Sequence, residues 1–375
     1  MKKARLAWLL AVAAFAALVQ AEPTSSDAII QLLNSRAAGS PRGYAEAAGV
    51  VARDAAEGKL LQRFVVGVVS RDFDAPDELK VSPEVRNRYL DETRERIMTL
   101  AEQKNNPLAW YLLSLEKNDV KFLQRAADGG NPQALNAWGT RLLTKAVYAR
   151  GVATNDVDKL MARSYKCFET AAGQDDANGL YNLGMCKLKG YGCEIDKDEA
   201  YECFMAAAKK GHPEAINNIG GFYRDGIVVA ENPGAATIWF KKSADLGNAY
   251  GQLNYALALQ RGEGVAQDEA LAARLLEKSA RQKCVEAIDA YGMCLYHGRG
   301  VEKDTRKACV WYLSAAKLGF APAMENLAHC YDVGEGVPKN SEEALVWKIR
   351  ARAAQGDRNA ASWLAQNHKQ LEIER

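Results

Sequence analysis

A small residue returns at a fixed step through the second half of the chain: Gly184, Gly220, Ala256, Gly292 and Ala328 stand 36 residues apart. The glycine opening the next loop keeps that step, at Gly190, Gly226, Gly262, Gly298 and Gly334. So does an alanine further on, at Ala200, Ala236, Ala272, Ala308 and Ala344. Three landmarks in one register over five copies define a repeat architecture. The pattern declares a shape and no active site.

Each copy holds two apolar patches joined by a short glycine-bearing loop. Ala215, Ile216, Ile219, Gly220 and Tyr223 recur at the spacing of one helix face, as do Ala236, Trp239, Phe240 and Ala244. The loop reads G-x-G-V in Gly262 to Val265, Gly298 to Val301 and Gly334 to Val337. Its first glycine takes positive φ and ends the first helix. Asp196, Asn232, Asp268, Asp304 and Asn340 then supply side-chain caps for the second. Small residues at the Gly220 and Ala236 slots let the two helices approach closely, and Trp239, Phe240, Trp311, Tyr312 and Trp347 fill the space between units. One such hairpin cannot bury its apolar faces alone; stacking in line buries a continuous core. The expected fold is all-α, a right-handed α/α superhelical solenoid of helix-turn-helix repeats.

The residues Tyr291-Gly292, Tyr296, Gly298, Gly300-Val301, Asp304, Ala308, Trp311-Tyr312, Ala315-Ala316 and Gly319 carry a motif that resembles the Sel-one-like repeat (SLR), a relative of the tetratricopeptide repeat. The match extends from about Gly130 to Asn367. The resemblance implies a helical solenoid that serves as an adaptor or scaffold for protein complexes.

The chain begins differently. Lys2, Lys3 and Arg5 form a basic head, Leu6 to Val19 is an unbroken apolar run, and Val19-Gln20-Ala21 offers small residues where a signal peptidase reads. Residues 1–21 are therefore expected to be a cleaved secretory signal, too short for a membrane span. Cleavage after Ala21 leaves a secreted or periplasmic protein and lowers the net charge from +2 to −1, a balance that argues against electrostatic binding to nucleic acid. Residues 22–129 are expected to be degenerate helical repeats. Asp27 to Ala38 would be the first helix of an opening unit, and Ser82-Pro83-Glu84 starts a helix that runs to about Gln103. Phe73 to Ser82 reads as a loop. Pro107 to Gly130 is a shortened unit, and Gly130 to Asp175 a lengthened one with an enlarged loop over Tyr148 to Asp156. The regular repeats occupy 130–369, with Ser341 to His368 as a closing pair and 370–375 as a tail; terminal repeats depart from pattern because they present a polar outer side.

The eight cysteines permit disulfides in an exported chain. Cys294 with Cys309, on opposite arms of one hairpin, is the first expected bridge, and Cys186 with Cys203 or Cys167 the second; the competing reading is small buried thiols. Cys294, His297, His329 and Cys330 hold a metal only if their side chains converge. Zinc-finger, metalloprotease, hydrolase-elbow and P-loop motifs are missing from the sequence, so neither cofactor nor enzyme activity is expected.

Asn182, Asn218, Asn254 and Asn326 share one slot of the first helix. In stacked helical repeats the first helices line the concave surface, where an amide can bond an extended peptide through both donor and acceptor. The competing reading, that the amide bonds a neighbouring helix of the repeat itself, is favoured by its even recurrence. Lys189, Asn217, Arg224, Asp289 and Glu325 could add polar specificity, and Tyr255 and Met293 apolar contacts. The expected partner is another protein or a peptide; the alternatives are a cell-envelope accessory protein that binds or hydrolyses saccharide and a secreted effector that binds host proteins.

Overall fold

The computed structural model describes residues 82–149 and 154–372. Among them sixteen helices follow one another without a strand. The opening helices are α1 (Pro83–Lys104), α2 (Pro107–Lys117) and α3 (Val120–Asp128), followed by the long hairpin α4 (Pro132–Val147) and α5 (Thr154–Gly173). The regular pairs are α6 (Ala177–Lys189) with α7 (Lys197–Lys209) and α10 (Ala249–Arg261) with α11 (Glu269–Arg281); between them run α8 (Pro213–Asp225) and α9 (Pro233–Asp245). After them come α12 (Val285–His297) with α13 (Thr305–Lys317), α14 (Ala321–Val333) with α15 (Ser341–Ala354), and last α16 (Arg358–Glu372). The chain divides into two compact units, Met1–Ala230 and Glu231–Arg375. Within each unit every helix packs against the one before it and the one after it.

The local chemistry explains the regularity. Asp196, Asn232, Asp268 and Asp304 each accept the backbone N–H three residues on, at 2.8–2.9 Å, and Asn340 accepts from Glu342 and Glu343. These bonds satisfy donors that a helix start leaves orphaned. The backbone N–H of Asp304 also reaches back to the Leu295 carbonyl at 2.8 Å, closing the loop across the hairpin. Gly298 ends α12 in the left-handed region at φ +74 and donates to the Cys294 carbonyl. The second loop glycine has a different duty: a Cβ on Gly300 would lie 1.9 Å from the Glu269 carbonyl oxygen, so the loop presses directly on the start of α11.

Inside a hairpin the small residue of the first helix lies beneath a ring of the second. A Cβ on Gly139 would stand 2.7 Å from Phe168, on Gly184 2.8 Å from Phe204, and on Gly292 2.7 Å from Tyr312. Buried hydroxyls add ties between segments: Ser164 donates to the Gly139 carbonyl, Thr237 to Glu263 and Ser279 to Ala249, each at 2.7 Å.

The shortened unit appears as α2 and α3, of 11 and 9 residues. In the lengthened one, much of the extra chain is helical. Helix α5 spans 20 residues and already begins at Thr154, so the last part of the loop expected over Tyr148 to Asp156 is helix. The expected signal segment, the opening helix over Asp27 to Ala38 and the expected loop over Phe73 to Ser82, save Ser82 itself, lie outside the described residues.

Candidate protein-docking face

In both units the first helices of neighbouring repeats stand side by side, tied by polar side chains. Asn136 Nδ2 donates to Asp176 Oδ1 at 2.6 Å, and Asn182 Nδ2 donates to Asn136 Oδ1 at 3.2 Å. Asn218 Nδ2 meets Met185 Sδ at 3.7 Å. In the second unit Gln260 Nε2 donates to Cys294 Sγ at 3.3 Å, and Asn326 Nδ2 to Asp289 Oδ1 at 2.8 Å. The recurrent amide therefore joins one repeat to the next. Asn182, Asn218, Asn254 and Asn326 are half-buried, with an edge open to solvent.

The other expected contact residues divide. Lys189, Arg224, Met293 and Glu325 are exposed and Asn217 is half-buried. Arg224 already holds Asp225 in a two-point grip at 2.7 and 3.0 Å, and Glu325 accepts from Gln355 Nε2 at 3.0 Å. Tyr255 and Asp289, expected on the surface, are both only 7% exposed. Tyr255 occupies the slot of Ile219 and Leu327, which points into the core. Asp289 is drawn down beside Asn326, and burial raises its carboxyl above the usual range while the amide bond opposes the rise.

Two residues on this side escaped the sequence reading. His212 caps α8: its Nδ1 accepts the Ala215 N–H at 3.3 Å, and its ring stacks on Tyr181 at 4.5 Å. Burial pushes its pKa down to about 4. An Nδ1 that accepts a backbone proton carries none of its own, so the Glu214 carboxylate 3.4 Å away faces a neutral ring. Tyr250, in the first turn of α10, is 50% exposed. Its slot holds Asn178, Glu214, Glu286 and Pro322 in the other repeats, and an aromatic in a polar slot was the available clue.

The thiols also depart from expectation. All eight cysteines are free. Cys309 is in hydrogen-bond contact with Cys330 of the following repeat, which lowers the Cys309 thiol and raises its partner. Cys294 is engaged instead by Gln260. The reason is directional: position 309 of α13 faces forward onto α14 and not back across its own hairpin. Cys186 and Cys203 share a small core cluster with Phe168 and Leu183, with Cys193 packed against it. His297 and His329 are exposed on either side of Tyr296, with ring centroids 5.1 and 6.1 Å from it. No group of three metal-ligating side chains converges among the described residues. No helix among them is long and apolar enough to cross a membrane.

With the capped, glycine-closed hairpins and their tied first helices described, the class is that of stacked α-helical repeats. The Sel1 repeat profile matches five consecutive segments, 177–212, 213–248, 249–284, 285–320 and 321–354, and the chain is a Sel1-like repeat protein. It is similar to a protective antigen of uropathogenic Escherichia coli with an SLR fold, at 29% identity and a TM-score of 0.54, covering 85% of this chain and 67% of that one. It also resembles a Sel1 repeat protein from Oxalobacter formigenes, at 25% identity and a TM-score of 0.51, covering 68% of this chain and 95% of that one. No curated protein matches the chain. Proteins built from Sel1 repeats generally mediate protein–protein interaction, and the fold is typically non-enzymatic.

Proposed function

We propose that the protein is an exported adaptor, without enzymatic activity, that binds a segment of another protein on the outward side of its first helices. The observation that carries this reading is a division of labour within one helix. The slot that faces the partner helix takes a small residue in every repeat, glycine at Gly184, Gly220 and Gly292 and alanine at Ala256 and Ala328. Slots on the open side differ freely, as at Lys189, Arg224, Met293 and Glu325. A surface freed from packing duty in this way can be shaped by a partner, and helical arrays use such surfaces for binding. Export is supported by the basic head and apolar run of residues 1–21. The likeness to a protective antigen of a pathogen accords with a location in the envelope or beyond the cell.

Two measurements test the reading. Cell fractionation of the full chain should place a form beginning at Glu22 in the periplasm or medium; a full-length cytoplasmic product overturns export. A pull-down with that form should retain a defined protein, lost on Lys189→Glu with Arg224→Glu. Turnover of a cell-wall polymer with no stable protein partner would instead assign an enzyme.

A further inference from the structure

The last two repeats of the series, 285–320 and 321–354, bring two thiols together across their seam. Cys309 lies in the second turn of α13 and Cys330 in the last turn of α14. Both are free and buried, at 3% and 0% exposure, in one core cluster with Tyr312, Leu327 and Trp347. One residue of the following loop spans them. The Glu335 N–H donates to the Cys330 carbonyl at 3.2 Å, and the Glu335 carbonyl accepts from Cys309 Sγ at 3.4 Å. A Cβ on Gly336 would lie 2.7 Å from Cys309 Sγ, so this loop sits directly on that thiol. The two thiols are in hydrogen-bond contact with each other.

The repeat itself shows that these slots face one another. In the first unit they hold Tyr201 and Phe222, whose ring centroids are 5.5 Å apart. Later seams hold Thr237 with Ala258 and Ala273 with Cys294, so stacking accepts very different pairs here and does not call for sulfur. Two cysteines meet only at the seam before the last repeat. That repeat is followed by α16 alone among the described residues. An end repeat of a helical array has less to hold it than an inner one and opens more readily.

We propose that Cys309 and Cys330 form a redox latch, a disulfide that closes between two repeats and braces the last one against opening. This goes beyond the docking reading and does not depend on it. The oxidant is a small-molecule or protein disulfide, which reaches Cys309 when the loop over Glu335 and Gly336 lifts. The Cys309 sulfur attacks one sulfur of that disulfide, forms a mixed disulfide and releases a thiolate, which takes up the Cys309 proton. Cys330 then attacks the Cys309 sulfur and releases the second thiolate, which takes up the Cys330 proton. Two protein thiols and one disulfide become one protein disulfide and two thiols, with two electrons passed to the oxidant. Cys309 attacks first because contact with Cys330 holds its thiol below the usual range and favours the thiolate. The link closes the intervening chain into a loop, which restricts the unfolded state and so stabilises the folded one. An oxidising compartment keeps such a link closed.

The test equilibrates the folded chain beginning at Glu22 with glutathione at rising ratios of disulfide to thiol, blocks free thiols with N-ethylmaleimide and maps the peptides without reduction. A Cys309–Cys330 link should appear first. The melting midpoint should rise with it by about 5 °C and fall back on adding dithiothreitol. Cys330→Ala should trap glutathione on Cys309, because the resolving thiol is gone. Cys309→Ala should show neither the link nor the rise, and Cys294→Ala should link as the native chain does. Should a variant fail to fold, the native chain decides alone. A first link between any other two cysteines, such as Cys186 with Cys193, overturns the proposal, as does a chain that keeps all its thiols at every ratio. A link that leaves the midpoint unmoved, or a rise that persists in Cys309→Ala, overturns the brace.

Discussion

Helices α8 and α12 are the same part used twice. Each has 13 residues, ends in a left-handed glycine and buries its stack-facing side. On the open side they share almost nothing. Helix α8 presents amides, a glycine and a paired Arg224–Asp225, beneath a histidine cap that forms its own bond to the helix start. Helix α12 presents Glu286 and Met293, holds Asp289 buried beside Asn326, and its cap position, Cys284, makes no side-chain cap bond. The contrast shows how the repeat separates its tasks. Contacts between helices are repeated because geometry demands them, and whatever does not touch a helix is free to differ.

The most severe way to break the shared part is at its second loop glycine. Gly300→Val should destabilise the second unit by about 3 kcal/mol or more, because the new side chain meets the Glu269 carbonyl and a β-branched residue resists positive φ. Chemical unfolding measures it; a loss no larger than that of an exposed substitution would show that the loop does not press on α11.

The caps separate the two helices next. His212 is neutral in the fold, with its pKa lowered from 6.5 to about 4. Above 6.5 it bears no proton folded or unfolded, and its contribution is full. As pH falls from 6.5 toward 4 the unfolded chain takes up a proton that the fold refuses, and stability is lost, about 3 kcal/mol across the window. Below 4 the proton enters the fold, Nδ1 stops accepting, and the cap bond breaks. Unfolding midpoints against pH should show this slope in the native chain and its loss in His212→Asn, which caps at any pH. Identical slopes would remove His212 as the cause.

A smaller effect of opposite sign is expected one repeat before Gly264. Val228 occupies the slot of Gly192, Gly264, Gly300 and Gly336, and holds φ 66. That conformation costs a β-branched side chain on the order of 1–3 kcal/mol. Val228→Gly should relieve it, partly offset by glycine's greater freedom when unfolded, and raise stability by about 1 kcal/mol. A fall in the unfolding midpoint would mean that the valine side chain has contacts worth more than its strain.

The thiols provide the finest discrimination. Refolding in an oxidised and reduced glutathione mixture, with the disulfide form accepting the electrons, should join Cys309 to Cys330 before any other pair. Peptide mapping without reduction identifies the link; a Cys294–Cys309 product would place position 309 against its own hairpin.

Much of the fold was legible because its determinants are short-range. The caps at Asp196 and Asp304, the helix-ending glycines and the start at Pro83 depend on bonds within a few residues, so residue type at a given spacing suffices to predict them. Expectation failed where direction mattered. Tyr255 and Asp289 were assigned to the surface and lie buried, Cys309 faces forward instead of back, and His212, with its cap bond and its stack on Tyr181, was not singled out.

A step of 36 residues requires stacked helix pairs whatever the partner, since each pair's apolar stripe has nowhere else to go. Whether a given slot sinks or stays open is another matter. It is set by contacts such as Asn326 with Asp289 and Asn182 with Asn136, 37 and 46 positions apart. A small rotation of a helix exchanges its buried and open sides without altering one letter of the repeat. The burial of Asp289 beneath the amide of Asn326 became visible only once that rotation was known.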